Sequence, residues 1–320
     1  MERMFALIVA MTACVAWPLP AGTAAQVPAV PAVSTPTPDA DPAAADDEWS
    51  LREQESRMTV PVSIAGKGDW PFVIDTGAER TVVSRELATL LALAPGRQVR
   101  VTTMAGTSPT PTAQVPLLKV SRLAPSLIEA PVYARRHLGA QGMLGLDALQ
   151  GHRVAIDFDR SRMTLVPSRK QRRVAARQSD EIVVVARSVF GQLIVTDARW
   201  HNRRIAVVVD TGSAVTVANS AFRKLLGDKP SIGRWDLIAA SGEKFGADAF
   251  LLDRLQIGGI TMSDVPIGVA DVAPFQRFGL GDKPALLLGM QTLRSFRMVE
   301  IDFPNRSIRF TMHAGSIQLG

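Results

Sequence analysis

One tract occurs twice in this chain. Phe72-Val73-Ile74-Asp75-Thr76-Gly77 is matched by Val207-Val208-Val209-Asp210-Thr211-Gly212. The same spacing then brings Thr81-Val82 and Thr216-Val217, followed by leucine-rich helical stretches from Arg85 to Leu93 and from Ser220 to Leu226. Further on, Met104-Ala105-Gly106-Thr107 stands against Ala240-Ser241-Gly242-Glu243, and Met143-Leu144-Gly145 against Leu287-Leu288-Gly289. Each copy closes on two strand-like runs, Arg153 to Phe158 with Met163 to Val166, and Met298 to Phe303 with Ser307 to Phe310. A single D-T-G arises by chance in about one chain in twenty at average composition. Two copies with landmarks in the same order mark an internal duplication, which fixes the architecture as two homologous units.

The pattern within each unit is mostly strand. Met58 to Ala65 alternates and is β-branched, and Glu181 to Arg187 with Gln192 to Asp197 flank Gly191 as a hairpin would. Helical signals are short, one or two per unit. The expected fold is all-β, with two β-barrel-like lobes related by a pseudo-twofold axis and a few short helices. Aromatic residues make up only 6% of the 320 positions, so aliphatic side chains must fill the core.

The ends and joints of the chain read separately. Arg3, an apolar run from Phe5 to Trp17 and small residues from Gly22 to Ala25 have the layout of a secretory signal peptide, residues 1–25. A cut there would make Gln26 the new N-terminus. The alternative is a lipoprotein box, Met11-Thr12-Ala13-Cys14, with lipidation at Cys14 placing the body near a membrane. Both readings put the body outside the cytoplasm, secreted or periplasmic. Residues 26–48 are rich in Pro, Ala and Asp and read as a disordered tether. A first lobe at 49–167, a basic linker at 168–180 and a second lobe at 181–320 complete the division.

Formal net charge is +6, but the tether is acidic, which leaves 49–320 at about +11 by count. Arg169-Lys170-Gln171-Arg172-Arg173 has no interleaved aromatic residue on which a base could stack, and it reads as a solvated linker with no nucleic-acid partner. Cys14 is the single cysteine, so the body carries no disulfide and no cysteine nucleophile. His137, His152, His201 and His313 fit no common metal-ligand spacing, and no serine-hydrolase elbow is present. No metal or cofactor is expected.

The repeated tract offers its own chemistry. An aspartate at the end of an apolar strand is rigidly placed, and the glycine two residues on permits a tight turn and close backbone approach. Two such carboxyls face to face cannot both ionise, so the pair holds one proton between them. The ionised member can take a proton from water while the protonated one donates to a carbonyl oxygen.

On these residues the chain resembles the aspartic proteases. Asp75-Thr76-Gly77-Ala78 and Asp210-Thr211-Gly212-Ser213, each with its later apolar-apolar-glycine, carry the likeness over about 58–166 and 190–310. The short lobes and Gly142-Met143-Leu144-Gly145-Leu146-Asp147-Ala148-Leu149 are most similar to the bacterial retropepsin-like branch. The resemblance implies an acid-protease-like fold and an aspartic endopeptidase acting on a peptide or protein. Asp75 and Asp210 would be its catalytic dyad. Thr76, Gly77, Ala78, Thr211, Gly212 and Ser213 would support the active loops, with Leu144-Gly145 and Leu288-Gly289 behind them. Ala105, Gly106, Thr107, Ser241 and Gly242 would lie at flap tips. Val101, Met104, Ala239 and Phe245 near the flaps point to apolar substrate side chains.

Two departures stand out. Retroviral enzymes follow the late glycine with Arg and then Asn or Asp, whereas here Leu146-Asp147 and Met290-Gln291 follow, so the arginine that braces the lobes is missing. The single tyrosine, Tyr133, falls in neither flap. A monomer whose two lobes pair within one chain is expected, with a homodimer of twinned repeats as the alternative. A non-catalytic module that holds an extended peptide is the competing function.

Overall fold

The computed structural model describes residues 48–50, 59–120, 126–171 and 180–313. The expected signal peptide, Cys14, nearly all of the tether and most of the basic linker lie outside these residues. Both repeats fall within one compact unit, Asp46–Gly320.

The first half is a closed six-stranded barrel, ordered Thr59–Ile64, Lys67–Ile74, Gly142–Leu144, Val82–Ser84, Ser126–Tyr133 and Thr112–Lys119. Val60, Val62 and Ile64 alternate inward from the first strand and are fully buried, as the period of two requires. Gly142–Leu144 is the key strand. It runs parallel to Phe72–Ile74 on one side and antiparallel to Val82-Val83 on the other. The loop between those two neighbours, residues 75–81, is therefore pinned at both ends. The second half repeats the device: Ala285–Leu288 lies between Arg203–Val209, parallel, and Thr216–Ala218, antiparallel.

Short strands pass directly into capped helices. Ser84 Oγ accepts from Leu87 N at 3.1 Å to start Arg85–Leu90, and Asn219 Oδ1 accepts from Phe222 N at 2.9 Å to start Ser220–Leu226. The first helix ends three residues earlier than its leucines suggest. Ala92 takes a left-handed φ of +49° there, and Pro95 follows. Each half also has more helix than expected, three per half among the described residues. The additional ones are turns of four or five residues, Arg135–Leu138, Leu146–Leu149, Ala273–Arg277 and Met290–Leu293, too short to show a helical period.

The halves are joined by a six-stranded antiparallel sheet to which each contributes three strands. Its order is Glu48–Ser50, Arg162–Pro167, His152–Asp157, Met298–Asp302, Ser307–Thr311 and Glu181–Val185. The central pairing, Arg153–Asp157 with Met298–Asp302, crosses from one half to the other. This corrects the hairpin read around Gly191. Glu181–Val185 pairs with Ser307–Thr311, and only Arg187–Val189 folds back on Gln192–Trp200. Ala186 is buried between the two segments and hydrogen-bonds Arg306 O through its N–H, so a single β-branched run serves two sheets.

Candidate active site

The two D-T-G loops meet at the join between the halves. Asp75 and Asp210 are both buried, and each carboxyl lies against the opposite D-T-G loop, so the two charges act on each other. Each is anchored from behind, Asp75 N donating to Leu144 O and Asp210 N to Leu288 O, both at 3.0 Å. Each also has one carboxylate oxygen held by its own loop. Gly77 N and Ala78 N donate to Asp75 Oδ1 at 2.8 and 3.0 Å; Gly212 N and Ser213 N donate to Asp210 Oδ1 at 3.0 and 3.2 Å.

Below the carboxyls the threonines cross over. Thr76 Oγ1 donates to Val209 O and Thr211 Oγ1 to Ile74 O, each at 2.8 Å. In return, Thr76 N donates to Thr211 Oγ1 and Thr211 N to Thr76 Oγ1, each at 3.1 Å. The glycines explain the third letter of the motif. A Cβ on Gly77 would lie 2.7 Å from Asp210 Cγ, and one on Gly212 would overlap the Asp75 carboxyl. Each glycine is the space in which the opposite aspartate sits.

Burial pushes the Asp210 carboxyl well above the usual carboxylate range, and the neighbouring Asp75 charge pushes it the same way. The loop N–H groups of Gly212 and Ser213 oppose that shift but do not reverse it. Two carboxyls within hydrogen-bond reach, one with a raised affinity for its proton, make a site that can donate and accept a proton at once.

The five flap residues fall at the ends of two hairpins. Ala105 is in the turn between Val99–Thr103 and Gly106–Thr110, so Gly106 and Thr107 begin the return strand. Ser241 and Gly242 are in the loop between Gly233–Ile238 and Lys244–Leu252, closed by Ala239 N donating to Glu243 O at 2.9 Å. Gly106 and Gly242 both have positive φ, +150° and +90°. The tips meet where Thr103 Oγ1 lies 3.4 Å from Ser241 Oγ. Each tip also rests on the opposite half. Met104 packs against a cluster in the second half containing Ile194, Val217, Phe275 and Leu287, and Ala240 against one in the first half containing Tyr133 and Leu138. Tyr133, expected outside both flaps, reaches the foot of the first one, 3.2 Å from Thr110 Oγ1.

Four supporting contacts escaped the sequence. Asp147, at a departure from the family pattern, takes hydrogen bonds from Thr81 N and Thr81 Oγ1, at 2.8 and 2.6 Å to its Oδ1. In the second half Thr292 takes that place, 2.7 Å from Thr216 Oγ1. Gln192, fully buried, reaches from the second half to donate to Gly77 O at 3.0 Å. Arg277 makes a bidentate pair with Glu79 across the halves, 2.7 and 2.9 Å. A polar Gln192 heading an apolar strand was the one visible signal among these. Among the described residues, no three or more His, Cys, Asp or Glu side chains are placed to hold a metal ion.

Two β lobes, each contributing one Asp-Thr-Gly loop to a shared pair of carboxyls, define the bilobal acid-protease class. The sequence profile of the aspartyl protease family matches residues 60–148 and again 194–292, more than half of the chain in two repeats. The chain belongs to the retropepsin-like aspartyl protease family. No curated protein matches the chain significantly.

Proposed function

We propose that the protein is an aspartic endopeptidase in which Asp75 and Asp210 activate water for attack on a peptide bond. The observation that carries this reading is the meeting of two buried carboxyls, each lodged against the glycine of the opposite D-T-G loop. The pair shares one proton, because two buried carboxyls this close cannot both ionise. A water between the carboxyls loses its proton to the ionised member as it attacks the carbonyl carbon. The protonated member donates to the carbonyl oxygen. In the collapse of the tetrahedral intermediate the roles reverse, and the amine leaves protonated. The loop N–H groups keep the inner oxygen of each carboxyl fixed throughout, so the carboxyls enter the reaction already oriented.

Substrate is an extended peptide held beneath the two hairpins. The N-terminal layout supports action outside the cytoplasm. Peptide-library digestion from pH 3 to 8, read by mass spectrometry, tests the proposal. Cleavage that falls as the shared proton is lost, and that vanishes in Asp75→Asn, is expected. Peptide capture without products would convert the reading to a binding module.

A further inference from the structure

The five-residue helix Ala273–Arg277 belongs to the second half, yet both of its ends are held by the first. At its start, Ala273 N donates to Met104 O at the tip of the hairpin Val99–Thr110, 3.3 Å away. Phe275, fully buried in the middle of the helix, belongs to the apolar cluster on which Met104 rests. At its end, Arg277 clamps Glu79 with two parallel hydrogen bonds, and its guanidinium lies 4.6 Å from the Phe190 ring centroid. Glu79 stands four residues beyond Asp75, next to Ala78, whose N–H holds the Asp75 carboxylate. The helix thus connects the loop that positions Asp75 to the tip of the hairpin Val99–Thr110.

The hairpin needs such a hold. It forms a separate two-stranded sheet, and Pro111, which has no N–H to give, separates it from the barrel strand Thr112–Lys119. The other hairpin has no equivalent break, because Lys244–Leu252 runs on to pair with Val265–Val269. The device is also single. The residue four beyond Asp210 is Ala214, which can form no ion pair.

We propose that Arg277 and Glu79 are positioning residues whose ion pair, carried through the Ala273–Arg277 helix, latches the first hairpin against the second half. As to cleavage, this rests on the protease reading; as to hairpin motion, it does not. Substrate entry requires the first hairpin to lift, and the pair sets how readily it does.

Hydrogen exchange of residues 99–110 tests the latch on the intact protein without reference to catalysis. In Arg277→Ala and in Glu79→Gln, exchange there should quicken about fivefold while 233–252 is unchanged, since local opening loses one bidentate pair. In 1 M salt the wild type should shift the same way, because both side chains are over a third exposed. With a cleaved peptide, KM should rise about three- to tenfold with kcat held within twofold. The exchanged pair Glu79→Arg with Arg277→Glu should restore both readouts. Unchanged exchange at 99–110 in the single variants and in salt would overturn the latch. If the wild type cleaves nothing, the exchange result still decides it. If cleavage depends on Asp75 but KM and exchange ignore Arg277, the latch alone is wrong.

Discussion

The hairpin of the first half forms a two-stranded sheet of its own, tied to its barrel at its foot, whereas the hairpin of the second half continues without interruption into its sheet. The D-T-G loops, by contrast, agree nearly bond for bond, from the paired N–H groups on each inner carboxylate oxygen to the crossed threonines. Between those levels the supports differ again. An exposed carboxylate, Asp147, braces the buried Thr81, while a buried hydroxyl, Thr292, braces Thr216. Symmetry is strict where two identical groups must meet and share a proton, and it relaxes with distance from that meeting point. A shared proton demands matched partners; a surface hairpin needs only to be held.

Removing either aspartate tests the symmetric level with the largest effect. Asp75→Asn and Asp210→Asn should each lower kcat by about 10³-fold or more, because each removes one partner of the acid-base pair. A residual rate that differed widely between the two would show that the carboxyls are not equivalent in the reaction. Next come the glycines. Gly77→Ala and Gly212→Ala each push a methyl into the opposite carboxyl, so kcat should fall about 10²-fold in both, with the separation of the carboxyls as its cause.

The braces should break the symmetry instead. Asp147→Ala leaves the buried Thr81 N–H and hydroxyl without their acceptor and should cost about 1–2 kcal/mol in urea unfolding. Thr292→Ala removes one neutral hydrogen bond and should cost about 1 kcal/mol. Equal costs would mean that the two halves are supported alike.

The smallest effect is in the pH dependence of stability. The folded Asp210 carboxyl holds its proton more tightly than the unfolded chain does. Its contribution is therefore complete below the ordinary carboxylate range and is lost as pH rises toward the raised value. Asp210→Asn removes that loss, so its melting temperature should exceed the wild type's by a modest margin at neutral pH and converge with it in acid.

The sequence made the centre of the molecule legible and left its supports obscure. Asp75, Thr76 and Gly77 lie within three consecutive residues, and their repetition at 210–212 announced the pairing. Glu79 and Arg277 are 198 positions apart, and nothing local to either calls for the other. The short helices at 135–138 and 273–277 offer a single turn each, too little for a 3.6-residue period to emerge. Glu181–Val185 misled for a different reason. A β-branched run fits any open sheet edge, and only the register with Ser307–Thr311 decides which one it takes.

The sheet that joins the halves has one more consequence. Strand His152–Asp157 of the first half lies directly beside Met298–Asp302 of the second, so neither half completes this sheet alone. Two half-length fragments would each expose that bare edge, and their assembly would weaken on dilution. Fusing them in one chain holds the partner edge at an effective concentration near the millimolar range, whatever the concentration of the protein. A protein built this way would remain assembled at the scarcity in which a half-length ancestor would fall apart.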